Sequence, residues 1–402
     1  MTEFPAATEA SAAKRPPLYM LIALTAFGPM SIDLYLPSMP DLTRVFHAEI
    51  SRVELTLSVF LVGFALAQLV YGPLSDRYGR RPVLLVGLAL YSFASLFCLT
   101  AQNVNMLILG RFLQSLGACC GPVLSRAILR DSFPRERVAR VMASLATVMA
   151  LAPAIAPLIG GNLHALFGWQ ANFVLLVGFG ALVFGMTWGL LPETNRNLNL
   201  QALHPMALVE NYLKLLRDRV FLGYSLTVSF FFGTMFSFIS GSAFVIIDVL
   251  KVPPEHFGFC FGAPVLGLMA GSFVSAKLAH KVGLERMVKI GCLVGTGFGL
   301  LMFGVSLAGL ETVVSVVGPV IGIYVAAGLV LPNSTALAIA PHARIAGSAS
   351  ALLGCLQMGI ASLTGWLVGL FHDGTGLSMA GIIAASVVLA AMFRWLVIPR
   401  TS

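Results

Sequence analysis

Charge is what this sequence has least of. Asp, Glu, Lys and Arg together make up 10% of its 402 residues, against about 25% in a soluble globular domain. That scarcity excludes a water-soluble enzyme or binding module of ordinary composition. The sequence also has no glycine-rich loop followed by Lys and Ser/Thr, no G-x-S-x-G turn and no His/Cys/Glu group at metal-ligand spacing, so nothing marks an ATP site, a serine nucleophile or a metal centre. The six cysteines, Cys98, Cys119, Cys120, Cys260, Cys292 and Cys355, all fall inside apolar runs and read as free hydrophobes. Acids are rarer than bases, 17 against 25. In a soluble chain the resulting +8 would suggest nucleic acid. Here it is better explained by lysines and arginines gathered on the cytoplasmic face of a membrane.

What is present is a succession of apolar runs. Hydrophobic residues make up 58% of the chain. The runs are about 20 residues or longer, enough helix to cross a bilayer. They cover 18–37, 53–71, 83–101, 106–128, 138–163 and 173–191 in the first half, and 220–249, 256–278, 287–307, 313–339, 346–371 and 377–398 in the second. Residues 1–17 and 399–402 are tails, and no cleavage site follows the first run, which reads as a retained span. The polar stretch 192–219 is a linker between an N-terminal bundle, 18–191, and a C-terminal bundle, 220–398. The stretch from Gly72 to Arg81, GPLSDRYGRR, is a dense charged knot between two runs and is expected to be a short turn. With that knot placed in the cytoplasm, both termini lie there too. All but four of the 25 lysines and arginines then fall on that side: Arg44, Arg52 and Lys251 are outside, and Arg111 is inside a span. Residues 275–283, SAKLAHKVG, are a worn copy of the knot in the second half, which points to internal duplication and the architecture of secondary transporters.

The knot, together with LGRFLQSLGA around Arg111 and APLIGG at residues 156–161, resembles the motifs of the major facilitator superfamily. SIDLYLPSMP at residues 31–40 and RAILRDSFPRERVARVMA at residues 126–143 are similar to drug:proton antiporters of the bicyclomycin- and chloramphenicol-resistance type. The resemblance implies an all-α integral membrane protein with twelve helices in two pseudo-symmetric six-helix bundles. It also implies export of small amphipathic drugs or metabolites in exchange for protons across a bacterial inner membrane.

Individual residues sharpen this expectation. Asp33 is read as the one acid inside a span. An ionised carboxylate there costs on the order of 2.5–3.5 kcal/mol, which makes it the candidate proton carrier. Arg111 is the one base inside a span and cannot shed its charge. It either tunes Asp33, the role the resemblance favours, or bonds backbone carbonyls of a broken first helix. Gln114 lies one turn on, on the same face. Tyr35, Gln114, Phe232, Phe236 and Asn333 are candidate cavity residues for amphipathic molecules. The second half has no acid inside a span. Pro153, Pro157, Gly160 and Gly161 form a bent, small-residue face in the fifth span, which the resemblance casts as a seal or hinge against the other half. In the knot, Gly72 and Gly79 allow close approach. Asp76 is expected to cap the N-terminus of the eleventh span near Ala346. Arg77 and Arg80 are expected to pair with acids such as Asp131 or Glu136, all forming a conformational latch. No metal and no cofactor are expected, only protons as coupling ion. A small-molecule substrate and the lipid bilayer are the expected partners, without nucleic acid, and the chain is expected to be a monomer. The alternatives are a proton-coupled uptake symporter for a small metabolite and, more remotely, an integral membrane enzyme.

Overall fold

In the lipid interior a backbone amide has no water to bond, so an apolar run of this length folds as a helix that satisfies its own N–H and C=O groups. The computed structural model describes residues 16–195, 198 and 205–396, and every long element among them is a helix. The first half holds α1 (Leu18–Asp33), α2 (Met39–Val45), α3 (Ile50–Tyr78), α4 (Arg80–Leu99), α5 (Val104–Ala118), α6 (Cys120–Ser132), α7 (Arg135–Phe167) and α8 (Gln170–Leu190). Then come α9 (Pro205–Arg217), α10 (Arg219–Ala243), α11 (Pro254–Val282), α12 (Leu284–Leu307), α13 (Val313–Ile339), α14 (Ala346–Leu370) and α15 (Leu377–Leu396).

The twelve expected spans are all present as helix. Eleven are long and apolar enough by themselves, and α7 supplies the remaining one through its apolar stretch Leu151–Phe167. Two spans of the first half are composite. α1 and α2 are joined through a short 3-10 turn at Leu36–Ser38. Pro37 has no N–H for the Asp33 carbonyl, which is where α1 gives out. Pro122 likewise has none for the Ala118 carbonyl, where α5 passes into α6. The helices turn apolar side chains such as Val86, Phe93, Leu182, Leu293 and Val314 outward, as lipid requires.

Packing repeats between the halves. α3 packs on α5 as α11 does on α13, α4 on α5 and α8 as α12 does on α13 and α15, and α1 on α6 and α7 as α10 does on α13 and α14. The halves meet along two matching seams, α3 on α14 and α7 on α11. Between α3 and α4, and again between α11 and α12, the chain reverses on a single glycine. Gly79 has φ +95° and ψ 158°, Gly283 has φ +88° and ψ 145°, a region closed to most L side chains. The charged knot is therefore not a ten-residue turn. Its first seven residues complete the last turns of α3, and one residue makes the corner.

The linker is not all extended chain either. α9 packs on α10 and α14, burying Leu215 in a cluster with Phe221, Tyr224, Ala349, Leu352 and Leu353. Residues 1–15 of the N-terminal tail, much of 196–204 and 397–402 lie outside the described residues.

The two glycines of the knot separate in their consequences. A Cβ on Gly79 would stand 2.5 Å from the Glu193 carboxylate in a left-handed backbone, whereas one on Gly72 would meet nothing within 4 Å. Gly79→Ala is expected to cost about 1–2 kcal/mol for the backbone alone, and Gly72→Ala to be neutral or slightly stabilising. Thermal unfolding of the two variants in detergent checks this.

Candidate functional site

Asp33 closes α1 at the proline break. It is 3% exposed, and its Oδ1 is buried without a hydrogen-bond partner. No cation is paired with it among the described residues. The 3-10 turn that follows it, Leu36–Ser38, packs on α10 and α11, so α1 breaks beside the second half. Gly160 of α7 packs directly on the backbone of Leu34, the next residue, with no room for a side chain.

Arg111 is fully buried, yet it is not the partner of Asp33. One guanidinium nitrogen, Nη1, donates to the Ser31 carbonyl at 2.9 Å and to Gln114 Oε1 at 2.6 Å. The guanidinium lies between two aromatic rings, 4.7 Å from the centroid of Tyr35 and 4.5 Å from that of Phe60. Such stacking suits a planar, weakly hydrated cation. Gln114 passes the network on, donating to Ser95 Oγ at 2.8 Å. Tyr91 OH and Ser31 Oγ lie 2.8 Å apart, as do Tyr35 OH and Thr56 Oγ1. Of the two readings of Arg111, the geometry matches the backbone-bonded one: it grips the last turn of α1 just before the break. Among the described residues no carboxylate pairs with it, and its Nε and Nη2 are buried without partners there.

The expected cavity residues divide. Tyr35 and Gln114 are fully buried inside the Arg111 network. Phe232 and Phe236 pack against each other along α10, their rings tilted by 46° with centroids 4.9 Å apart. Asn333 turns its amide nitrogen inward: Nδ2 donates to Ser275 Oγ at 2.7 Å and to the Leu329 carbonyl at 2.6 Å, tying α13 to α11.

The knot is a clamp within the first half. Arg80 Nη1 donates to Ser75 Oγ and Asp76 Oδ1, both at 2.6 Å, and its Nε to Asp131 Oδ2 at 2.9 Å. Asp76 therefore bonds Arg80 rather than the start of α14. Arg77 lies over the Tyr78 ring at 5.3 Å and is in none of the described ion pairs, and Glu136 lies outside the described side chains. The acid at the start of a helix is Glu193, from the linker. Its carboxylate accepts the amides of Arg80 at 2.9 Å and Arg81 at 3.1 Å, capping α4 where its dipole favours an anion. In α7, Pro153 and Pro157 sit inside a continuous helix. Gly160 meets α1, and Gly161 meets the Pro254 carbonyl at the start of α11.

Three spans hold charges that the sequence reading left out. Glu54 of α3 is fully buried, so Asp33 is not the only acid in a span. Arg126 of α6 donates to the Pro122 carbonyl at 2.9 Å. Arg394 of α15, 4% exposed, lies 3.5 Å from Glu285, so Arg111 is not the only base. All three sit within a turn or so of a run's boundary. There sequence alone does not separate a membrane-buried group from one reaching water.

The chain matches the family described as Major Facilitator Superfamily over residues 21–366. It is 35% identical over 389 residues to an uncharacterized MFS-type transporter, YdgK, of Bacillus subtilis, covering 93% of each. A Bicyclomycin resistance protein homolog of Haemophilus influenzae and Multidrug resistance protein D of Escherichia coli are each 29% identical, with 94% of both chains covered. The fold is that of a bacterial homolog of the human lysosomal transporter Spinster in an inward-facing and occupied conformation. The TM-score there is 0.71 at 16% identity, over 94% of this chain and 96% of the other.

Arg111→Lys keeps the charge and loses the planar grip between Tyr35 and Phe60. Hydrogen bonds to a charged group contribute about 1.5–3 kcal/mol, and a loss of that order is expected in thermal unfolding.

Proposed function

The chain belongs to the major facilitator superfamily, and from that premise we propose that it exports small amphipathic molecules, antibiotics among them, in exchange for protons. It is a multi-pass membrane transporter and not an enzyme. The observation that carries the exchange reading is Asp33: a buried carboxyl without a counter-cation among the described residues, at a helix break that packs beside the other half. Such a group is costly as an anion in a span and is suited to alternate between a bound proton and a hydrated or substrate-paired charge. The names of the bicyclomycin and multidrug relatives support drugs as the substrate class.

The bias of lysine and arginine supports a cytoplasmic placement for the end that carries Arg77, Arg80 and Arg81, hence for both termini, in the inner membrane of a bacterium. Alternating access then comes from rocking the first bundle against the second along the two seams. The Arg80 clamp travels with the first bundle as a rigid corner. Gly160 and Gly161 let α7 seal the outer side against α1 and α11, and Arg44 reaches Asp248 across the outer surface at 3.0 Å. Phe232 and Phe236 offer a ring surface to an apolar substrate, protons serve as the coupling ion, no cofactor takes part, and one chain suffices for the pathway.

Purified protein in weakly buffered detergent, challenged with a drug panel, is expected to release protons on binding a substrate. Asp33→Asn is expected to bind without release. Binding that releases no protons in the wild type overturns the antiport reading.

A further inference from the structure

Glu54 has no part in the arrangement above, and its surroundings are unusual. It lies on α3 near the outer end, where α3 packs on α14 and comes close to α10. Its carboxylate abuts Gly369 of α14 and faces Ser240 of α10. The residue is fully buried, and neither oxygen has a complete hydrogen bond. Ser240 Oγ lies 3.4 Å from the Gly365 carbonyl, a long contact that leaves its hydroxyl free to turn toward either group. One hydroxyl is a single partner for a carboxylate with about four lone-pair sites.

Among the described residues no cation is paired with Glu54, and Arg52, two residues before it on α3, donates instead to Asn105 Oδ1 at 2.6 Å. Of the elements packed on α3, α14 carries no charged residue. α5 carries only Arg111, which is held by Ser31, Gln114 and the two rings. The charges of α4 (Arg80, Arg81) and of α6 (Arg126, Arg130, Asp131) sit toward the cytoplasmic end. α2 offers Asp41 and Arg44, the latter paired with Asp248. α10 has Asp218 as its N-cap and Arg219 in its first turn, at the far end. His372, just past α14, packs on Phe244 and is held below the ordinary imidazole value by burial.

Packing does not require an acid at this place. Glu54 stands 25 residues before the corner glycine Gly79, and Gly258 stands 25 before the matching Gly283. At that related position the seam between α11 and α7 closes with Leu158 against Gly258. One seam is sealed by a leucine on a glycine, the other by a carboxyl on a glycine.

We propose that Glu54 is a second proton-binding site, filled when the outer ends of α3 and α14 close on each other and emptied when they part. An isolated carboxylate enclosed in this way is so costly that the group takes a proton instead. Parting the seam admits water and lets the proton go. Resting on the antiport reading, this makes a proton captured from outside a condition for closing the outer face.

The test needs no substrate, so its failure is separable from failure of antiport. Spin labels at Glu49→Cys and Leu310→Cys, in a background with Cys260 and Cys355 replaced by Ala, report the outer separation of the halves by double electron–electron resonance. In otherwise wild-type protein the population is expected to move from near to far as pH rises. With Glu54→Gln it is expected to stay near across the same range, while Asp33→Asn keeps a pH response. A wild-type separation that ignores pH, or an unchanged response in Glu54→Gln, overturns the proposal. Should the Gln variant not accumulate, infrared spectra of Asp33→Asn decide. A protonated-carboxyl band that titrates together with the label distance supports the site, and its absence overturns it.

Discussion

The two seams, α3 on α14 and α7 on α11, govern what the rest of this molecule can do. Both bring helices together where one side has given up its side chain, at Gly369 for the first and at Gly161 and Gly258 for the second. Close approach of this kind takes the place of the hydrophobic drive, which lipid does not provide. It also decides which polar groups lose contact with water. Asp33 and Glu54 are both buried because a helix of the other half, or α7 beside it, closes over them.

Arg111 illustrates the opposite solution. It is permanently charged and fully enclosed, and it has no acid. Its stabilisation is spread over a backbone carbonyl, an amide and two ring faces. The Arg80 clamp uses carboxylates instead, near the surface, where Asp76 remains half exposed. The same side chain is thus held by diffuse contacts in the bilayer and by ion pairs at its edge. This follows from what it costs to bury a second charge.

Much of the fold was legible beforehand, for one reason: helices in lipid need long apolar runs, and those runs can be counted. Most span boundaries lie within a few residues of the apolar runs, though the first two spans extend seven or eight residues past them, and the duplicated corner at Gly79 and Gly283 is visible as a repeat. What the sequence concealed was tertiary. Glu54, the second residue of the run 53–71, escapes a sequence reading because burial at a run's end depends on the helix opposite. Asn333 looked like a cavity group because the ends of its hydrogen bonds lie on α11 and in its own previous turn. Asp76 was assigned to α14, while the cap of α4 came from Glu193, more than a hundred residues away.

The connection between the halves acquires a mechanical meaning from its two anchorage points. Glu193 is fastened to the first amides of α4, and α9 is docked on α10 and α14. Only 11 residues, 194–204, separate Glu193 from Pro205. At about 3.3–3.6 Å per residue those 12 steps reach at most about 43 Å. The linker is a leash of fixed length, and any opening of the inner face that would separate Glu193 from α9 by more than this must first break one of its moorings.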